Sequence, residues 1–122
     1  MDPHHLRLAL EQLPHDTLLT EIPTVQNAIA QLLRSNVEMR EFDPKGEDPD
    51  LVQAIAENQD VLQRYEARID MTLEVIRQRI GEAAAREMAS NVEAFRKQHP
   101  TTTPHADEPM EEENEGEQGV FL

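Results

Sequence analysis

Two stretches of this chain carry core-type side chains at alternating steps of four and three, and the two stretches match each other arithmetically. In the first, Leu18, Ile22, Val25, Ile29, Leu32, Asn36 and Met39 keep that rhythm; in the second, Leu51, Ile55, Asn58, Leu62, Tyr65, Ile69, Thr72 and Ile76 do. A mean step of about 3.5 residues is the coiled-coil signature, because it holds one seam toward a partner helix. If the chain doubles back between the stretches, facing residues must have a constant index sum. Leu18 with Ile76, Ile22 with Thr72, Val25 with Ile69, Ile29 with Tyr65, Leu32 with Leu62, Asn36 with Asn58, and Met39 with Ile55 all sum to 94. Each pair joins an a-type position to a d-type one, as antiparallel helices require. Asn36 and Asn58 interrupt the two stripes opposite each other, so a buried amide pair would set this register at some cost in stability.

Punctuation supports the same layout. DPKGEDPD at 43–50 has two Pro, one Gly, three Asp and one Glu with no apolar residue, which marks the turn. Asp48 and Pro49 make a helix start, as Asp2 and Pro3 do at the beginning of the chain. Pro14 closes a short apolar segment containing Leu6, Ala9, Leu10 and Leu13. Pro23 lies inside the first long stripe, which keeps phase on both sides of it. This reads as a kinked helix, with a helix starting at Pro23 as the alternative. Gly81 interrupts before EAAAREMASNVEAFRKQ, whose Ala, Glu and Arg content favours helix until Pro100. That segment either continues the long helix or folds back.

The expected fold is therefore all-α: a short N-terminal helix in 1–14, an antiparallel coiled-coil hairpin over 15–81 with its turn at about 43–49, a helical extension over 82–98, and a disordered acidic tail over 99–122. Composition agrees with an elongated helical shape, since 3% aromatic and 38% apolar residues cannot fill a broad core. The stripe is wider than a two-helix seam needs. Leu19, Leu33 and Val37 flank it on one helix, and Val52, Val61, Leu73 and Val75 on the other. Residues 5–13, residues 82–98 with Met88, Val92 and Phe95, a second copy of the chain, or a client protein could cover them.

Charge limits the partners. The net charge is −14; residues 1–98 hold 18 acidic and 11 basic side chains, and residues 99–122 hold seven acidic and no Lys or Arg. Such a field repels phosphate backbones, so direct nucleic-acid binding is not expected and basic protein surfaces are the natural partners. No basic and apolar leader and no span of about 18 apolar residues is present, which points to a soluble chain in the cytoplasm, with the nucleus as a second compartment. With no Cys there is no thiolate metal site, thiol nucleophile or disulfide.

Nothing in the sequence calls for an enzyme, a metal or a cofactor. His4 and His5 are adjacent and point to different helix faces, while His15, His99 and His105 have no ligand spacing. Glu57, Asp60, Glu66, Asp70 and Glu74 interleave with Arg64, Arg68 and Arg77 as on a solvated helix face. DPKGEDPD lacks the spacing and closing Glu of a calcium loop. After its acidic stretch the tail returns to apolar residues at Val120, Phe121 and Leu122, a candidate docking peptide. Its hydrophobic-aromatic-any pattern is that by which proteasomal activators enter the core particle, with Phe in place of Tyr.

The runs NAIAQLLRSN (27–36) and AIAENQDVLQRYEARID (54–70), a polar connector, and the acidic tail with its short apolar peptide resemble the fungal ATPase-dedicated chaperones of proteasome assembly, also described as translation-machinery-associated proteins. The resemblance covers about 15–80 and the last three residues; a shorter connector and Pro23 depart from it. It implies a non-catalytic, stress-response chaperone that binds a regulatory-particle ATPase, helps the sixth ATPase pair with the third, and leaves on maturation. Contact candidates on the flank of the seam are Leu33, Val37, Val61 and Leu73, with Val120, Phe121 and Leu122 in the tail. A self-associating homodimeric coiled-coil adaptor is the alternative, and a ribosome-bound protein touching ribosomal proteins is a third reading.

Overall fold

In the computed structural model, which describes residues 2–101, the chain forms four helices joined by short connections. They are α1 (Pro3–Glu11), α2 (His15–Phe42), α3 (Pro49–Arg79) and α4 (Glu82–Gln98). The starts of α1 and α3 follow the sequence chemistry. Asp2 accepts from the His5 amide, Asp48 accepts from the amides of Asp50 and Leu51, and Pro3 and Pro49 occupy first-turn positions where no amide is needed. Expectations for residues 102–122, including a disordered tail and a docking peptide at Val120, Phe121 and Leu122, lie outside the described residues.

The hairpin folds in the register that the index sum demands. Asn58 Nδ2 donates to Asn36 Oδ1 at 2.9 Å. Leu18, Ile22, Val25 and Ile29 of α2 and Leu62, Ile69, Thr72 and Ile76 of α3 are buried. Thr72 is accommodated in this apolar seam because its hydroxyl donates to the Arg68 carbonyl of its own helix at 2.7 Å. Beside the seam, Arg68 is ion-paired to Glu21 across the two helices. The amide pair is only half satisfied. Asn36 Nδ2 is buried without a partner, so the pair meets in this register while leaving one donor unmet.

The connection between α2 and α3 is built around Asp43. Its carboxylate accepts from the Glu47 and Asp48 amides at 3.0 and 2.9 Å, and its carbonyl accepts from Gly46, which turns the chain at φ 65°. α2 runs unbroken through Pro23 from His15, which removes the alternative of a helix starting there. Pro23 lies exposed on the solvent side, where the Leu19 carbonyl that loses its amide partner can be hydrated.

Gly81 decides the path of the last helix. Its φ of 142° and ψ of 169° fall where essentially only glycine goes, so α3 ends and α4 reverses direction. α4 then lies antiparallel along α3: Arg77 pairs with Glu82 near the reversal, and Arg96 reaches Glu66 and Asp70 far down α3. α1 lies on α3 as well, with Arg7 Nη2 donating to Gln78 Oε1 and Arg79 Nη1 donating to the Leu10 and Leu13 carbonyls that close α1. α3 is thus the central shaft, with α1, α2 and α4 packed around it. Val75, Leu73 and Leu19, surplus to a two-helix seam, belong to this shared core together with Leu10, Ala85 and Val92.

Candidate interaction surface

The covering helices do not reach the whole hairpin. The clasp that ends α4 is centred on Glu66: Arg96 Nε donates to its Oε1 at 2.7 Å, Arg96 Nη2 reaches its carbonyl and Asp70, and buried Thr101 donates to its Oε2 at 2.9 Å. Burial lowers the Arg96 pKa, but the hydrogen bonds and negative charges of Glu66 and Asp70 outweigh it and hold the guanidinium above its ordinary value. Beyond this point the hairpin is two helices wide. No residue of α2 after Asn36 and none of α3 before Leu62 is fully buried. The tip exposes Val37 (49%), Val52 (45%) and Phe42 (81%). Three large apolar groups on a short two-helix end form a surface that another protein could cover.

The contact candidates fall in different places. Leu33 and Val37 line an open groove of about 480 Å³ between α2 and the end of α4, together with Ala30, Arg34, Arg40 and His99. Val61 lines a second groove, of about 530 Å³, between α1 and α3, with Leu6, Arg64, Tyr65 and Met71. Leu73 is packed against the shared core. Leu33 and Val37 therefore act as one patch, Val61 faces elsewhere, and Leu73 presents less of itself than its seam-flanking position implied. The register residues Asn36 and Asn58 meet at the boundary between the covered and bare parts of the hairpin.

Two features of this surface were not singled out from sequence. Phe42 is one residue short of continuing the α2 stripe after Met39, so periodicity gave it no role. Arg34 and Arg40 form no ion pair with a carboxylate among the described residues, unlike Arg68, Arg77 and Arg96. Neither residue belongs to the interleaved charges of the α3 face, and only the folded groove places both on one wall. His99 stacks on Phe95 with ring centroids 4.3 Å apart. Among the described residues, no three His, Cys, Asp or Glu side chains converge where they could hold a metal ion, and no helix is long and apolar enough to cross a membrane.

These elements define a small helical protein whose distinctive surfaces are an apolar hairpin tip and grooves between helices. The chain belongs to the TMA17 helical domain family, which matches residues 2–83, and this supports the family resemblance carried by residues 27–36 and 54–70. The match takes in α1, α2 and α3 and stops at the start of α4. No curated protein and no solved structure matches the chain.

Proposed function

We propose that this protein is a non-catalytic assembly chaperone that binds an ATPase subunit of the proteasome regulatory particle through the bare tip of its hairpin. The observation that carries this reading is the exposure of Val37, Phe42 and Val52 on a two-helix end in a chain of the TMA17 family. A client helix laid along α2 and α3 there would complete the bundle that α1 and α4 complete elsewhere. By the family resemblance, the client is the sixth regulatory ATPase, held until it pairs with the third and released on maturation, in the cytoplasm and nucleus. No cofactor is needed, since the proposed work is the covering and uncovering of apolar surface. Apolar contact supplies the affinity, and the acidic surface speeds encounter with basic partners.

The test is affinity capture from lysate with mass spectrometry, comparing the natural chain with Val37→Asp/Val52→Asp and with Leu33→Asp/Val61→Asp. Recovery of regulatory-particle ATPases without mature core particle by the natural chain, lost in the tip variant while helicity is retained, supports the reading. Equal capture by the natural chain and the tip variant rejects the tip as the binding surface, and unchanged capture by Leu33→Asp/Val61→Asp rejects that flank. The same tip could instead close on a second copy. Light scattering separates the two: a tight dimer at low micromolar concentration favours the self-associating adaptor.

A further inference from the structure

The groove between α2 and the end of α4 has a composition unlike the rest of the surface. Its walls carry Ala30, Leu33 and Val37 beside Arg34 and Arg40, and no Asp or Glu among the described residues lines it. Elsewhere the described part of the chain is acidic, since all 11 basic side chains and 18 of the 25 acidic ones lie before residue 99. Pro100 and Thr101, the last described residues, line the groove, so the segment that follows is tethered beside it. Thr101 is fastened there by its bond to Glu66. The segment that follows holds Asp107, Glu108, Glu111, Glu112, Glu113, Glu115 and Glu117, then Val120, Phe121 and Leu122.

We infer that residues 107–122 dock in cis into this groove, with the carboxylates on Arg34 and Arg40 and the Val120 to Leu122 group over Leu33 and Val37. The two sequences of chemistry match: cations beside aliphatic side chains receive carboxylates beside apolar ones. Length permits it, because a flexible connection of about 20 residues has a root-mean-square reach of roughly 25 Å. The α2 wall from Ala30 to Arg40 is only about 15 Å long. Tethering places the segment near its site at an effective concentration on the order of millimolar, so weak contacts suffice. The groove between α1 and α3 is a poorer host. It offers one arginine, Arg64, without an ion pair among the described residues, because Arg68 is held by Glu21, and Pro100 and Thr101 do not line it. Leu33 and Val37 also border the proposed client surface, so the docked segment competes with a client and must be displaced by it. Only this competition rests on the proposed function; the docking does not.

The chain has no Cys, so a single Gln118→Cys substitution in the full chain accepts one nitroxide label. The readout is broadening of backbone amide resonances by the label. Docking predicts strong broadening across residues 30–40 and little across 61–71. Arg34→Glu/Arg40→Glu, both exposed, should weaken docking about tenfold, because each reversal replaces a screened attraction with a repulsion of similar size. Arg64→Glu should change nothing. Equal broadening of both grooves, or broadening indifferent to the α2 reversals, overturns the inference. A mixed sample, in which the label and the observed isotope are on different molecules, should show no broadening. Broadening there assigns the groove to a second copy and equally overturns docking in cis.

Discussion

The two ends of the α2–α3 hairpin have the same heptad spacing and very different surroundings. Toward the α1 and α4 side, every turn of the seam is roofed, and Leu18, Ile22, Ile69, Val75 and Ile76 are at most 1% exposed. Toward Asp43 the same rhythm continues through Met39, Ile55 and Leu51, yet these residues are only partly buried. A two-helix seam cannot exclude water from both flanks, and burial requires a third element. The difference teaches that spacing specifies which residues face each other, while the number of neighbouring helices decides how much stability each contact yields. It also locates the part of the molecule with an unmet need for a partner.

Core truncation should expose the asymmetry most strongly. Ile69→Ala is expected to lower unfolding free energy by about 2 to 5 kcal/mol in denaturant titrations, whereas Val52→Ala should change it by less than about 0.5 kcal/mol. Similar losses at the two sites would break the comparison. Gly81→Ala should cost about 1 to 3 kcal/mol through backbone strain. No atom lies within 4 Å of the added methyl, so the loss would report conformation and not a clash. Faster hydrogen exchange in α4 should accompany it. At the boundary, Asn58→Ala strands the buried Asn36 carbonyl oxygen and should cost about 1 to 3 kcal/mol. Asn36→Leu/Asn58→Leu should restore stability while loosening alignment, read as crosslinks between residues whose indices no longer total 94. Among the substitutions that remove a bond, the smallest effect is expected for Arg96→Ala. Its partly exposed clasp is worth about 1 kcal/mol at low ionic strength and less in high salt, detectable as a modest drop in melting temperature.

Much of this architecture was legible because its determinants are local or periodic. Asp2, Pro3, Asp48 and Pro49 announce helix starts, and the constant sum across the connector gives the antiparallel register in which Asn36 meets Asn58. The path of α4 was not legible. Gly81 signals an interruption, but whether the chain continues or reverses depends on its φ and on long-range bonds such as Arg96 to Glu66, separated by 30 residues. The half-satisfied amide pair was hidden for a similar reason, since pattern shows that two amides meet and not how they are oriented. The interaction surface was legible only in part. Leu33 and Val37 were identifiable as surplus to the seam, yet nothing in their spacing distinguishes them from Leu73, which α3 turns toward the shared core. Phe42 escaped because it is out of phase, and Arg34 and Arg40 because their isolation from carboxylates is a property of the folded surface.

Hydrogen–deuterium exchange of the full chain, alone and with a regulatory-particle ATPase subunit, reads the tip directly. Among residues 2–101, the free protein should exchange fastest within 37–58, where buried apolar contacts are few. Addition of the ATPase should protect that stretch and leave 62–98 unchanged. Protection confined to α1 or α4, or a tip that exchanges equally fast with and without the ATPase, would contradict a client held at the open end of the hairpin.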